Sequence, residues 1–285
     1  MKAVIYQYWE GNITPGNQAG VDLMREYADK IGVDYVFEEN PSWPANARIK
    51  RRNLGRYTPH YGAFKPLFDS AYDHYDYILF CDTDIIPVEH SRKRPRQNIF
   101  AEFMGRRHQQ IEEGKAPVDL WISEEWMQPK LRTKHNVGGI SYFNDEQWVR
   151  AIESTYQVKM PRTDVGNLPR VFNSGVVMYS AQARTIAQNN FVDFGKYVQM
   201  IDRNHLPAFY SCDQPYIHAM LEVCKFNWEV MPYKWNSQIH HTPGTRGQNP
   251  RPISDYRQDD TQFVHVQLNG ADHYSLEETK RVVND

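Results

Sequence analysis

Apolar and polar positions along this chain keep two different periods. Near the start, Ala3-Val4-Ile5-Tyr6 is a short β-rich run, and the Gly, Pro and Asn between Asn12 and Gly20 predict a loop. From Val21 to Ile31 the apolar positions Leu23, Tyr27/Ala28 and Ile31 recur at helical spacing, and Gly32 is placed to stop the helix. Val33–Phe37 reads as a second strand. This strand–helix–strand order predicts a parallel sheet with helices on its faces. Residues 40–62, with Trp43 and the basic cluster Arg48, Lys50, Arg51 and Arg52, read as helix or loop. Phe64–Tyr72 can open a helix with Pro66 in its first turn. Tyr77-Ile78-Leu79-Phe80-Cys81 is continuously apolar, the pattern of a strand buried on both faces, and it runs into Asp82-Thr83-Asp84.

Beyond residue 89 the chain turns polar, and the run Arg92–Arg96 reads as a solvated loop ahead of a helix that ends near Glu113. Leu120-Trp121-Ile122 predicts a strand, 145–157 a helix and 158–170 a loop. Val171–Tyr179 is a strand interrupted by Asn173-Ser174-Gly175. Residues 181–202 are helical in pattern, as are Asp213–Val223, with Asp213 placed to cap that helix. Residues 236–262, rich in Pro, Gly, Gln, Arg and Asp, read as one long loop, and Phe263–Leu268 as the last strand. The expected class is α/β, one domain over 1–285, with a mixed, mainly parallel central sheet flanked by helices.

Composition narrows the function classes. The 285 residues carry 33 Lys+Arg against 35 Asp+Glu, a net charge of −2, which excludes a chain dominated by non-specific nucleic-acid binding. No apolar run approaches the roughly 18 residues of a membrane helix, and the N-terminal apolar run is shorter than a signal peptide's core of roughly 7 residues or more. Three cysteines without metal-site spacing suit a reducing compartment. The expectation is a cytoplasmic protein of bacterial or viral source.

Asp82-Thr83-Asp84 is the sharpest local signal. Chance alone gives about one such triplet in a chain of this composition, so its weight comes from context. Both carboxylates sit at the C-terminal end of a buried strand, where open α/β sheets bind ligands. Two hard oxygen ligands there can hold a divalent cation that also grips a diphosphate; the plain alternative is an Asp capping a turn. His265, in the last strand, suits Mn²⁺ and competes with His240 and His241 for a ligand role. Asn173 and Ser174 suit sugar hydroxyls, and Gly175 lets a ligand approach the backbone; the alternative is a β-bulge. Tyr6, Tyr8 and Trp9 can stack a nucleobase or simply pack. Lys65 can meet a phosphate or stay solvated.

The order of these pieces resembles the GT-A fold (Rossmann-like) glycosyltransferases. The likeness lies in a first strand, an apolar strand into DxD, FNSG, DQ, Met231-Pro232-Tyr233-Lys234-Trp235-Asn236 and a late strand His. It is nearest to the retaining families that include glycogenin and bacterial galactosyltransferases, and weaker to the fungal and plant galactosyl, xylosyl and mannosyl transferases. The resemblance spans about 1–90 and 170–275, and it divides the domain into a nucleotide-binding half over 1–90 that ends in DxD, an unmatched insertion over 91–165 and an acceptor and sugar half over 166–285. It implies that Asp82, Asp84 and His265 hold Mn²⁺ (or Mg²⁺). Tyr6, Gln7 and Tyr8 would bind the base, while Thr83, Lys65 and Gly270 join the donor site. Asn173 and Ser174 would hold the sugars, and Asp213 and Gln214 would lie beside the anomeric carbon. The partners implied are a nucleotide-diphosphate sugar, a UDP-sugar in the first place, and a glycan or other hydroxyl acceptor. The family's late His continues as HxxGxxKP; here His265 is followed by Gly270 with no Lys, so the donor-phosphate Lys is either missing or supplied from elsewhere, with Arg246 and Arg251 as candidates. For an inverting enzyme Glu124, Glu125 and Asp213 are candidate bases. Two other classes remain. One is a phosphohydrolase of the haloacid dehalogenase type, with Asp82 as nucleophile and Asp259-Asp260 as its later acidic pair. The other is a non-catalytic nucleotide-sugar-binding relative.

Overall fold

The computed structural model describes residues 1–41, 43, 61–90, 95–125, 141–241, 252–267 and 274–284. In chain order the elements are β1 (Ala3–Trp9), α1 (Pro15–Ile31), β2 (Asp34–Glu39), α2 (Lys65–Phe68), β3 (Tyr77–Cys81), β4 (Ile85–Pro87) and α3 (Ile99–Glu112). They continue with β5 (Leu120–Glu124), α4 (Tyr142–Tyr156), β6 (Phe172–Ser180), α5 (Ala181–Asn190), α6 (Phe194–Arg203) and α7 (Asp213–Val223). The last are β7 (Trp228–Val230), β8 (Ser237–His241), β9 (Pro252–Asp255), β10 (Phe263–Gln267) and α8 (Leu276–Asn284).

Six strands form the central sheet in the order β2-β1-β3-β6-β5-β7. The β1–β2, β1–β3 and β5–β7 pairs are parallel, and β6 runs antiparallel to both of its neighbours. The expected α/β class with a mixed, mainly parallel sheet is therefore present. Residues 91–165 supply α3, α4 and the inner strand β5. Side chains alternate across the sheet with period two: Val4, Tyr6, Ile78, Phe80, Val177 and Tyr179 enter one core. Ile5, Leu79, Cys81, Val176 and Met178 enter the other, against α1 and α3. Burial on both faces is why β3 reads as an unbroken apolar run. The three cysteines are unpaired and buried.

A second sheet, β4-β10-β8-β9, abuts the end of the first. Its antiparallel β4–β10 pair sets His265 opposite Ile85, and its parallel β10–β8 pair sets His265 opposite Gln238.

Three expectations need correction. The loop read over 12–20 is largely helix: Thr14 caps α1 by accepting from the Asn17 N–H, and Pro15 takes the first turn, where a missing N–H costs nothing. The helix read over 181–202 is two, because Phe191 leaves helical geometry and Asp193 starts α6 by accepting from the Lys196 N–H at 3.0 Å. The loop read over 236–262 contains β8 and β9. Its polarity misled the reading: Asn236, Ser237 and Gln238 are each 0% exposed, and the Asn236 amide, the Ser237 hydroxyl and the Gln238 backbone N–H are bonded inside. Among the described residues no helix is long and apolar enough to cross a membrane.

Candidate active site

The Asp82–Asp84 turn is held by its backbone. The Asp82 N–H donates to the Gly175 carbonyl at 2.8 Å, and the Gln7 side-chain amide donates to the Asp82 carbonyl at 2.8 Å. Gln7 is itself fixed by the Tyr35 hydroxyl at 2.7 Å. The Asp84 carbonyl accepts from the Val266 N–H at 3.0 Å, which ties the turn to β10. Between the two carboxylates, Thr83 is buried and donates to Asn17 Oδ1 at 2.7 Å, anchoring the turn to the first turn of α1.

Asp82, Asp84 and His265 each offer one ligand atom, and the three atoms lie within 4.8 Å of one another. His265 Nε2 is 3.3 Å from Asp84 Oδ1. Bonds of about 2.1 Å put neighbouring ligands of an octahedral cation about 3 Å apart, so the set is spaced to close on one ion. Two carboxylates and one imidazole are a donor set for Mn²⁺ or Mg²⁺, with nitrogen favouring the former. Burial opposes charge on His265, but the carboxylates of Asp84, Asp82 and Glu125 outweigh it and raise its pKa to about 9. Without a cation, a proton therefore neutralises part of this acidic cluster. Cation binding must displace that proton, so affinity rises with pH toward about 9.

Behind the imidazole lies a chain of buried amides. Asn236 Oδ1 is 3.1 Å from His265 Nδ1, and the Asn236 amide donates to Asn173 Oδ1 at 2.8 Å. Asn173 donates to Glu125 Oε2 at 2.8 Å and accepts from the Gly175 N–H at 2.9 Å. Asn173 thus meets protein on both its oxygen and its amide. The close approach at Gly175 is made by His265 itself: a Cβ there would stand 2.7 Å from the ring's Cε1.

Asp213 opens α7, with Cys212 as the cap residue, so the expected cap lies one position earlier. Ser174 donates to Asp213 Oδ2 at 2.9 Å. Burial pushes the Asp213 carboxyl up to about 7, against hydrogen bonds from Ser174 and the backbone N–H groups of Gln214 and Asp213. Burial, with the neighbouring charges of Asp213 and Asp82, also drives the Tyr8 hydroxyl well above its ordinary pKa. Tyr8, Ser174, Asp213 and Asp82 thus share one region. Gln214 is half-buried and lines an adjoining shallow hollow with Arg170, Phe209 and Trp148.

The other described candidates have partners within the protein or lie outside the cluster. The Tyr6 ring is 0% exposed and packs edge-on against Tyr72 and beside Tyr8, so core surrounds it where a nucleobase was expected. Gln7, also 0% exposed, holds the Asp82 carbonyl instead of presenting its side chain to a base. Lys65 forms an ion pair with Glu38 at 2.5 Å and lies 3.7 Å from Asp69. Thr83 is turned to Asn17. Glu124 is paired with Arg170 at 3.1 Å. Asp259 and Asp260 are exposed and outside the Asp-Asp-His cluster. Gly270, Arg246 and Arg251 lie outside the described residues, as do the side chains of His240 and His241. Sequence reading passes over the buried Asn17 and the half-buried Tyr35; an Asn just inside a helix start and a strand Tyr carry no signal of their own.

The Asp213 shift has a sign that can be tested. Its folded pKa lies above the unfolded value, so its contribution to stability is complete below about 4 and is lost as pH rises through about 7. Asp213→Asn should therefore gain about 2 to 3 kcal/mol relative to wild type between pH 5 and pH 8, read from denaturant melts at both. A constant gap between the two proteins would contradict the assigned environment.

Fold and site together define a mixed α/β protein that presents an Asp-Asp-His cluster at the C-terminal edge of a parallel strand. No protein-family model and no curated protein sequence matches the chain. Among solved structures it is similar to a glycosyltransferase involved in the glycosylation of the major capsid of PBCV-1, at 14% identity over 99% of this chain and 98% of that one, with a TM-score of 0.48. It is also similar to the galactosyltransferase LgtC in complex with donor and acceptor sugar analogues, at 12% identity over 82% and 75% of the two chains, TM-score 0.39. A third is the glycosyltransferase GlyE of Streptococcus pneumoniae, at 10% identity over 83% of this chain and 46% of that one, TM-score 0.34.

Proposed function

We propose that this protein is a metal-dependent glycosyltransferase. It moves a hexosyl or pentosyl group from a nucleotide-diphosphate donor, a UDP-sugar in the first place, to a hydroxyl of a glycan or other acceptor, with retention at the anomeric carbon. The observation that carries the reading is the Asp82–Asp84–His265 cluster, its ligand atoms within 4.8 Å of one another at the end of β3. A divalent cation held there supplies Lewis-acid stabilisation of the charge that grows on a departing diphosphate.

The chain's own residues supply the rest. Asp82 and Asp84 hold the cation from a turn whose backbone is bonded to β6, β10 and Gln7, so the carboxylates need little reorganisation. Asp213 and Gln214, at the N-terminus of α7, are the pair that would face the anomeric carbon, where an oxocarbenium-like centre develops. Ser174 positions the Asp213 carboxyl. Tyr8, in the same region as Asp213 and Asp82, gives a hydroxyl that stays protonated and can donate to donor oxygens.

The test is thermal unfolding with UDP, GDP or CMP, each with Mn²⁺ and with EDTA. A ligand at about 100 times its Kd adds about 2.7 kcal/mol. A Mn²⁺-dependent shift with one nucleotide is expected. Asp84→Asn should remove that shift and cut sugar transfer by about 100-fold or more, while melting close to wild type without ligand. A shift without turnover on any nucleotide sugar would favour a binding protein. No shift, with phosphate release from simple phosphomonoesters, would favour the phosphohydrolase.

A further inference from the structure

We propose that Asn236 and Asn173 are positioning residues: with Glu125 they form a one-way hydrogen-bond relay that keeps a proton on His265 Nδ1 and turns Nε2 toward the cation. The inference rests on the reading of Asp82, Asp84 and His265 as a cation site.

The direction of the relay follows from its fixed end. The backbone N–H of Gly175 can only donate, and it meets Asn173 at 2.9 Å, so the Asn173 atom there is the carbonyl oxygen. The Asn173 amide nitrogen then faces Glu125 Oε2 at 2.8 Å, where a carboxylate accepts. The same Asn173 oxygen accepts from Asn236 at 2.8 Å, so Asn236 has its nitrogen there and its oxygen toward the ring. An amide oxygen only accepts. The ring nitrogen 3.1 Å from it, Nδ1, must therefore be the one that carries hydrogen. The other nitrogen, Nε2, is the one beside Asp84 Oδ1 at 3.3 Å.

Reversal is costly at every link. Flipping Asn236 alone would oppose two oxygens at Asn173 and two N–H groups at the ring. Flipping Asn173 as well would set its amide nitrogen against the Gly175 N–H and its oxygen against the Glu125 carboxylate. The four side chains are buried, Asn236 at 0% exposure and Asn173 at 3%, so water cannot rescue the mismatched groups. The relay also redefines Asn173. Its oxygen already accepts two hydrogen bonds and one N–H is spent on Glu125, which leaves at most one N–H for the sugar contact the resemblance implies.

Nitrogen-15 NMR of the His265 ring, with and without the diamagnetic ion Zn²⁺, tests this. A hydrogen-bonded Nδ1–H resonance is expected in both states, with Nε2 unprotonated once Zn²⁺ is bound. Asn236→Leu should lose the protected Nδ1–H signal and weaken Mn²⁺ binding by about 10- to 100-fold. Asn236→Asp keeps an acceptor oxygen at the ring but sets its second oxygen against Asn173 Oδ1, so it should restore the Nδ1–H signal while still costing stability at the Asn173 link. Zn²⁺-loaded wild type with Nδ1 unprotonated would overturn the relay, as would wild-type Mn²⁺ affinity in folded Asn236→Leu. Should neither ion bind wild type, the cation reading fails, and the Nδ1–H resonance of the ion-free protein still decides the relay. Should Asn236→Leu not fold, the two wild-type spectra decide it.

Discussion

Gly175→Ala is expected to weaken Mn²⁺ binding by about 100-fold, and sugar transfer with it, while leaving most of the fold intact. A Cβ at residue 175 would lie 2.7 Å from His265 Cε1, 2.9 Å from His265 Nδ1 and 2.9 Å from Asn173 Oδ1. Neither neighbour has an easy retreat. The ring is held by Asn236, and Asn173 by Glu125, Asn236 and the Gly175 N–H itself. The least costly relief is a tilt of the imidazole, which carries Nε2 away from Asp84. A displaced ligand on this scale costs about 100-fold in metal affinity, and overpacking a buried site costs about 1 to 3 kcal/mol of stability. Mn²⁺ titration followed by the EPR signal of the unbound ion reads the first, and urea melts the second. Because the clash is with His265, Gly175→Ala should cost less stability in a His265→Ala background than in wild type. Equal costs in the two backgrounds, or unchanged Mn²⁺ affinity, would show that the ring does not sit against residue 175.

What was legible in the sequence was whatever depends on burial period and chain order. Tyr77–Cys81 announces a central strand because both of its faces are covered, and the two carboxylates follow directly at its end. His265 is legible for the same reason: Phe263, Val264 and Val266 place it in a strand whatever it binds. The illegible parts depend on what lies across from a residue. Asn236-Ser237-Gln238 reads as loop because nothing in their polarity says that β10, Tyr233, Thr261 and Asn173 will bond them. Lys65 reads as a phosphate contact because Glu38, its partner, is 27 positions away. Tyr6 and Tyr8 are equivalent in sequence as strand aromatics. Yet Tyr6 is closed in by Tyr72, whereas Tyr8, one pleat nearer the strand end, lies close enough to Asp213 and Asp82 for their charges to raise its hydroxyl.

The same distinction makes Gly20→Ala a severe change at a position where local propensity favours it. Residue 20 lies inside α1, and replacing a helical glycine by alanine normally gains about 1 kcal/mol. Here the new Cβ would fall 1.8 Å from the Thr83 carbonyl oxygen and 3.0 Å from Ile86 Cδ1. The obstacle is backbone, so no side-chain rotation relieves it, and either α1 or the Asp82–Asp84 turn must move by more than about 1 Å. The helix resists through its Thr14 cap and the packing of Val21, Met24 and Ala28, each 0% exposed. The turn resists through Gln7, Asn17, Gly175 and Val266. A net loss of about 3 kcal/mol or more is expected, beyond the ordinary overpacking range, together with loss of Mn²⁺ affinity as the carboxylates shift. Gly105→Ala is the matched control. It sits inside α3 with nothing within 4 Å of its added Cβ, so it should show the unopposed gain of about 0.5 to 1 kcal/mol. Urea melts of the two variants should therefore move in opposite directions from wild type. If both were stabilised, α1 would not lie against the Asp82–Asp84 turn, and the anchoring of that turn by Thr83 and Asn17 would fall with it.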